Sequence, residues 1–425
     1  MTIIHIVNRS HVLFLPRLLT PIVEETLRQF PVVVLTGARQ TGKSTLVQHL
    51  PSAGTRRYLT LDDLDLQARA RRAPDVLLDE GDRLTLDEVQ RAPDLLLAIK
   101  RAVDRERRKG AFLLTGSANL LLMRKVSESL AGRAAYLTLL PMTEREKRGT
   151  PEPGPWGRLL EAESTKELAR GLERETRPAV DWTERALVGG YPPVVLAGSS
   201  QERTRWFEGY VRTYLERDLQ EIASISALAD FRRVMGLAAA RLGQILNQSE
   251  LGRDAGLSQP TVHRYLNLLE TSYQLVRIPA FSRSRTRRLV KSPKAYWGDT
   301  GLAGFLLRLG DAAEVRRHAA GGALLENMVL AQLLAWREVE ARRPEVSYWR
   351  TAAGIEVDFV LEARGRLLPV EVKASARARP EEARALEMFL DEHPRAASVG
   401  LLLYGGKDVV PVSRRVVAAP VGAVL

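Results

Sequence analysis

The chain has 425 residues, with 63 Lys and Arg against 51 Asp and Glu, and no Cys, for a formal charge of +12. That length exceeds one ordinary core and predicts two or three domains, and the missing thiols exclude disulfides, Cys-zinc sites and thiol catalysis together. An apolar fraction of 45% excludes a mainly disordered chain, while the basic balance favours polyanionic partners, nucleic acid before anionic membrane.

The N-terminal MTIIHIVNRSHVLFLPRLL has neither a basic leader nor a small-residue cleavage site, so no secretory signal is expected. The longest apolar run, Leu325 to Trp336, starts beside Glu326 and reads as a buried helix, not a membrane span. These features predict a cytoplasmic protein without membrane partners.

From about residue 15 to 146, short apolar runs (PVVVLTG, RLTLDEV, AFLLTGS) alternate with helical stretches, the rhythm of an α/β domain with a parallel sheet. After the first run comes Gly37-Ala38-Arg39-Gln40-Thr41-Gly42-Lys43-Ser44-Thr45, which fits the phosphate-cradling loop G-x-x-x-x-G-K-[ST]. Glycine at 37 and 42 lets the main chain wrap a phosphate closely, with amide groups and a helix N-terminus pointing inward. Lys43 is expected at the β- and γ-phosphates of ATP and the Ser44 hydroxyl at Mg²⁺. RLTLDEVQ then places Asp87 and Glu88 at the end of an apolar strand. Asp87 is expected to hold the Mg²⁺ through water, and Glu88 to polarise the attacking water. Asp62 and Asp63 in YLTLDDLD read as a strand-end turn.

These stretches, with LLTGSAN, ESLAGR, GGYPPVV, YLERDL, RLVKSPKAYWGDTGLAGFLL, ENMVLAQL, GIEVDFVL and PVEVKAS, run from about Leu15 to Ser375. In that order the chain resembles the bacterial and archaeal AAA-type P-loop ATPases fused to a C-terminal domain of unknown function. The resemblance implies an ATPase core, a DNA-binding-like helical middle and a restriction-endonuclease-like end. It also implies a γ-phosphate sensor among Thr115, Ser117 and Asn119, and a ring or dimer of like subunits. Arg133 of ESLAGR fits either an arginine finger reaching a neighbouring subunit or a structural salt bridge.

Residues 147–200 open with a segment rich in Pro, Gly and charge and read as a linker with a loosely packed helical lid. Residues 201–290 read as helical and then as a winged helix. Ser249 is expected to cap a first helix, Gly256 to break it, and Ser258 to cap a second beginning at Pro260. Val262, Tyr265, Leu266 and Leu269 recur at helical spacing toward a core. Gln259, Thr261, His263 and Arg264 are left for the major groove of DNA. QLVRIPAF and a partner around RLVKS would form the wing. Arg283, Arg285, Arg287 and Arg288, with no acidic neighbour in sequence, would meet phosphates. Rigid packing or oligomerisation is the competing role for such a module.

Residues 291–425 return to strands. In the second of two strands joined by the turn ARGR, period-two alternation puts Glu371 and Lys373 on one face. Asp358 on the first strand completes the D…E-x-K pattern of restriction-endonuclease-like folds. Asp358 and Glu371, with Glu326 from the preceding helix, would then hold a second Mg²⁺ or Mn²⁺ while Lys373 orients water. Glu356 lies on the same side as Asp358 and is able to take its place. Three functions are open at this level: a DNA-binding ATP hydrolase, an ATP-gated metal-dependent nuclease, and a nucleotide-dependent scaffold that does not hydrolyse.

Overall fold

The computed structural model describes residues 14–116, 130–175, 181–215, 228–284, 288 and 291–425. Its first sheet contains strands β1 (Val32–Thr36), β2 (Arg57–Thr60), β3 (Leu84–Asp87), β4 (Phe112–Thr115) and β5 (Ala134–Thr138). They lie in the order β2-β3-β4-β1-β5, all parallel. β1 is buried along its whole length because alternate residues serve two cores. Val32 and Val34 pack with Leu86, Ile99 and Leu114, whereas Val33 and Leu35 pack with Val23, Leu46 and Leu137. A sheet covered by helices on both faces explains why this strand reads as an unbroken apolar run. The order also places Thr115, at the end of β4, between the loop after β1 and the Asp87 end of β3.

The helical middle contains Leu228–Ala240, Gln248–Ala255 and Gln259–Thr271, followed by an antiparallel pair, β6 (Leu275–Ile278) and β7 (Lys294–Trp297). Ser258 caps its helix as expected, accepting from Thr261 N at 3.4 Å, and Gly256 ends the preceding one at φ 66°. The cap of that preceding helix is Asn247 and not Ser249: its side chain accepts from Glu250 N at 3.1 Å. The hairpin partner is also displaced from expectation. β7 begins at Lys294, beyond RLVKS, so the boundary expected at 290/291 cuts through the pair.

The C-terminal sheet is mixed, in the order β12-β13-β11-β10-β9-β8. It comprises β8 (Glu345–Arg350), β9 (Glu356–Ala363), β10 (Arg366–Lys373), β11 (Gly400–Tyr404), β12 (Val410–Pro411) and β13 (Val416–Pro420). β9 and β10 join through Arg364-Gly365, both at positive φ (53° and 77°), the backbone a tight two-residue hairpin requires. Helices Trp156–Glu161 and Thr165–Glu173, expected in a loose lid, instead pack on this sheet. Trp156, Leu159, Leu168 and Leu172 are buried in one core with Phe231, Tyr265, Phe359 and Val370. That core runs through the middle and C-terminal modules and includes Ala38 of the phosphate loop, so the modules are welded by apolar burial.

Two sequence motifs find their reason here. Asp299 caps helix Thr300–Leu306 and also accepts from Gly190 N at 2.5 Å. A Cβ at Gly189 would stand 2.3 Å from an Asp299 oxygen, and one at Gly190 would stand 2.4 Å from Met142 O. GGYPP and GDTG are therefore the two halves of one close backbone contact. Among the described residues no helix is long and apolar enough to cross a membrane.

Candidate nucleotide site and C-terminal acidic cluster

The loop after β1 closes on itself. Gly37 (φ 141°) has no room for a Cβ, which would stand 2.3 Å from Leu139 O, and Gly42 adopts φ 89° just before helix Lys43–Gln48. Thr41, fully buried, donates to Ala38 O at 2.9 Å. The Lys43 ammonium donates to Gly37 O (3.1 Å) and Ala38 O (2.8 Å), so it lies folded inside the loop. Burial pushes Lys43 down to about 8, against the pull of Glu88 and Asp87. A buried ammonium held by loop carbonyls, beside two carboxylates and at the start of a helix, is a fit for a triphosphate.

The carboxylate side is equally ordered. Asp87 is buried; Tyr58 of β2 donates to its Oδ2 at 2.6 Å, and the Thr115 hydroxyl donates to its Oδ1. Thr115 also accepts from Glu88 N at 3.4 Å. Of the three residues implied as a sensor, Thr115 is therefore in contact with the Asp87-Glu88 pair, while Ser117 and Asn119 lie outside the described residues. Glu88 sits at φ 57°, rare for a residue with a side chain, and accepts from Gln90 Nε2. Burial raises the Glu88 carboxyl above the ordinary glutamate range.

Arg17 was not legible as part of this site. It is buried behind the loop and donates to Thr41 O (2.7 Å), Leu140 O (2.6 Å) and Glu146 Oε1 (3.0 Å). Glu146 is also buried; it accepts from Leu18 N and Thr143 N at 2.6 and 2.7 Å. Arg17 and Gly42 share a cleft of about 200 Å³ with Phe14, Leu15, Met142, Pro192 and Pro193, apolar walls suited to a flat ring beside the phosphate loop. From the middle module Tyr273 donates to Thr36 Oγ1 at 2.9 Å and Tyr210 to Arg39 O at 3.4 Å. A larger cavity of about 470 Å³ lies elsewhere, against Leu187, Arg203, Phe207 and Phe305. The helix starts at its rim are capped by their own side chains, Ser199 with Glu202 and Asp311 with Glu314.

Arg133 forms a two-pronged pair with Asp104, at 2.6 and 2.8 Å, which is the salt-bridge alternative within one chain. Asp63 caps helix Leu64–Arg72, accepting from Asp65 N and Leu66 N, and Asp62 pairs with Arg91, as a turn requires.

On the middle module, Gln259, His263 and Arg264 are exposed and Thr261 is half-buried, with Val262, Tyr265, Leu266 and Leu269 buried beneath them. His263 is held between Gln248 (3.1 Å) and Asn267 (2.9 Å). The basic stretch departs from expectation. Arg288 has acidic neighbours in space, ion-paired to Glu345 and to Glu362 (2.7 Å), and Arg283 donates to Glu392 O at 3.1 Å. Arg285 and Arg287 lie outside the described residues.

In the C-terminal sheet the predicted carboxylates do come together, but around a lysine. Lys294 of β7, almost fully buried, pairs with Glu356, with Asp358 at 3.5 Å and with Glu326 at 3.8 Å. Burial works against its ammonium, yet Asp358, Glu326 and Glu356 together hold it above the ordinary lysine range. Lys373 pairs with Glu371. Asp358 Oδ2 accepts from Val372 N at 2.9 Å and Glu371 Oε2 from Asp358 N at 3.4 Å, each carboxylate closing the other strand's ladder. Among the described residues no group of three or more His, Asp or Glu is arranged to hold a metal ion. The expected second site of Glu326, Asp358 and Glu371 does not fit a divalent cation as it stands, because the Lys294 ammonium lies among its carboxylates and chain donors occupy most of their oxygens.

With this geometry in place, comparison with known proteins adds kinship. Residues 29–147 match the model of an AAA domain. Residues 179–313 and 321–424 match two domains of unknown function, DUF8612 and DUF4143. Uncharacterized proteins of Mycobacterium bovis and Mycobacterium tuberculosis are each 31% identical over 401 residues, covering 94% of this chain and 82% of the relative. The Walker-type ATPase of Pyrococcus abyssi is a looser structural likeness, at TM-score 0.44 and 17% identity over 68% of this chain and 94% of that one.

Proposed function

The chain belongs to the family of those two mycobacterial proteins, an AAA-type P-loop ATPase domain joined to two domains of unknown function, and from that premise we propose that it hydrolyses ATP and couples the reaction to DNA held by its helical middle. The observation that carries the first half is the Lys43 ammonium, buried in the loop and held by carbonyls, facing Asp87 and Glu88 across Thr115. Loop amides from Gly37 to Ser44 and the Lys43 ammonium would bind the β- and γ-phosphates. The Ser44 hydroxyl and Asp87 would hold Mg²⁺, which supplies charge neutralisation on the phosphate oxygens. Tyr58 and Thr115 fix the Asp87 carboxylate so that it need not reorganise. Glu88 orients a water molecule in line with the γ-phosphorus and takes its proton, while the bond to the β-phosphate oxygen breaks and ADP leaves.

Glu88 must be ionised to accept that proton. Since burial favours its neutral form, kcat/KM should rise with pH through a pKa above the ordinary glutamate range. A pH–rate profile checks this; an acid limb at the value of an exposed glutamate contradicts it.

The DNA half is supported by the exposed Gln259, His263 and Arg264 on a capped helix over a buried apolar face, and by the +12 charge. Because Arg288 is already ion-paired, phosphate contacts are assigned to Arg264 and not to Arg288. Arg264→Ala should lower the slope of log affinity against log salt by about one, whereas Arg288→Ala leaves it unchanged. Filter binding across a salt series reads both. Phosphate release measured with and without duplex DNA tests the coupling: stimulation supports it, and indifference to DNA removes it. The tight joint between modules at Tyr273–Thr36 and Tyr210–Arg39 is the physical route such coupling would use.

A further inference from the structure

The C-terminal carboxylates are arranged as a cation site, and the chain supplies the cation. Lys294 is only 2% exposed and its ammonium reaches Glu326, Glu356 and Asp358 while lying 5.9 Å over the Tyr348 ring. Most of the surrounding oxygens already accept from a donor of the chain. Asp358 gives Oδ1 to Lys294 and Oδ2 to Val372 N; Glu371 gives Oε1 to Lys373 and Oε2 to Asp358 N. Glu326 Oε2 takes both the Tyr296 hydroxyl, at 2.9 Å, and Lys294. Glu356 is shared between Lys294 and Arg350. A hard divalent ion needs about six oxygens at roughly 2.0–2.6 Å, and seating one among these carboxylates would displace the Lys294 ammonium that already lies between them. An ammonium and a divalent ion this close in a buried site would also repel with little screening.

We propose that Lys294 is the resident cation of this acidic site, occupying with its ammonium the position a divalent ion would require. The lysine comes from β7, not from the sheet it neutralises. β7 is anchored to the DNA-facing module through Gly243 N to Ala295 O (2.8 Å), Ala295 N to Gln244 O (3.0 Å) and Leu246 N to Pro293 O (2.8 Å). Those residues lead directly into helix Gln248–Ala255. The C-terminal domain is therefore closed to metal while the hairpin is docked, and the lysine links the two modules whether or not the ATPase reading holds.

The test is Mn²⁺ titration of the nucleotide-free full chain, followed by electron paramagnetic resonance. The wild type should bind no Mn²⁺ that Asp358→Asn removes. Lys294→Gln, checked by circular dichroism for native fold, should gain one Mn²⁺ per chain, lost again when Asp358→Asn is added. Lys294→Arg, which keeps the charge, should gain none. A wild-type Mn²⁺ site abolished by Asp358→Asn overturns the proposal, as does a folded Lys294→Gln that binds none. Should Lys294→Gln not fold, the wild-type and Asp358→Asn titrations decide the matter alone.

Discussion

Glu88→Gln should lower ATP hydrolysis by about 10²–10⁴-fold, the usual worth of a positioned general base, while leaving ATP affinity close to that of the wild type. The substitution preserves size and hydrogen-bonding capacity but cannot take a proton. Among the described residues the Glu88 side chain meets Gln90 and its amide meets Thr115, neither of them part of the loop. Binding and chemistry should therefore separate cleanly in this variant. A single-turnover assay with radiolabelled ATP, beside an equilibrium binding measurement, reads both. Equal loss of binding would mean that Glu88 acts on loop architecture; undiminished hydrolysis would assign the base elsewhere.

Arg17→Met should be the most destabilising single change near the site, costing about 3–5 kcal/mol, because it leaves Glu146 buried without its counter-charge. Arg17 and Glu146 are 5% and 2% exposed, so solvent screens neither. The guanidinium also satisfies the carbonyls of Thr41 and Leu140, which would be orphaned in the same step. Adding Glu146→Gln should recover part of the loss, since the amide needs no cation, and the recovered fraction measures the pair. Chemical denaturation of the single and double variants reads it. A cost below about 1 kcal/mol for Arg17→Met, the range of exposed pairs, would contradict a buried clamp. Because Thr41 lies in the phosphate loop, the surviving folded fraction should also bind ATP more weakly.

The contrast between these two residues shows what a single sequence discloses. Glu88 was legible because its neighbours in sequence, an apolar strand and Asp87, are also its neighbours in space. So were Gly37, Gly42 and Lys43, whose spacing is the loop itself, and the helix from Gln259, whose cap and apolar stripe are local. Arg17 and Glu146 are separated by 129 residues, and nothing near either announces the other. Tyr58 reached Asp87 only through the adjacency of β2 and β3. Arg288 looked free of acids because Glu345 and Glu362 approach it across the fold, 57 and 74 residues away in sequence. The tight packing of helices Trp156–Glu161 and Thr165–Glu173 was hidden by the Pro and Gly around them, although Trp156, Leu159, Leu168 and Leu172 carry a buried face. In the C-terminal sheet, period two put Glu371 beside Lys373, which do pair, but it could not reveal a lysine arriving from another module.

Hydrolysis by this chain requires a triphosphate seated in the loop from Gly37 to Ser44. Its most direct test is isothermal titration of ATP into the full-length Glu88→Gln protein, where hydrolysis does not interfere, with magnesium present and then with magnesium chelated. One ATP per chain, weakened by chelation and abolished by adding Lys43→Ala, is the predicted result. Binding that is indifferent to Lys43, or no binding at all by the folded protein, would contradict it.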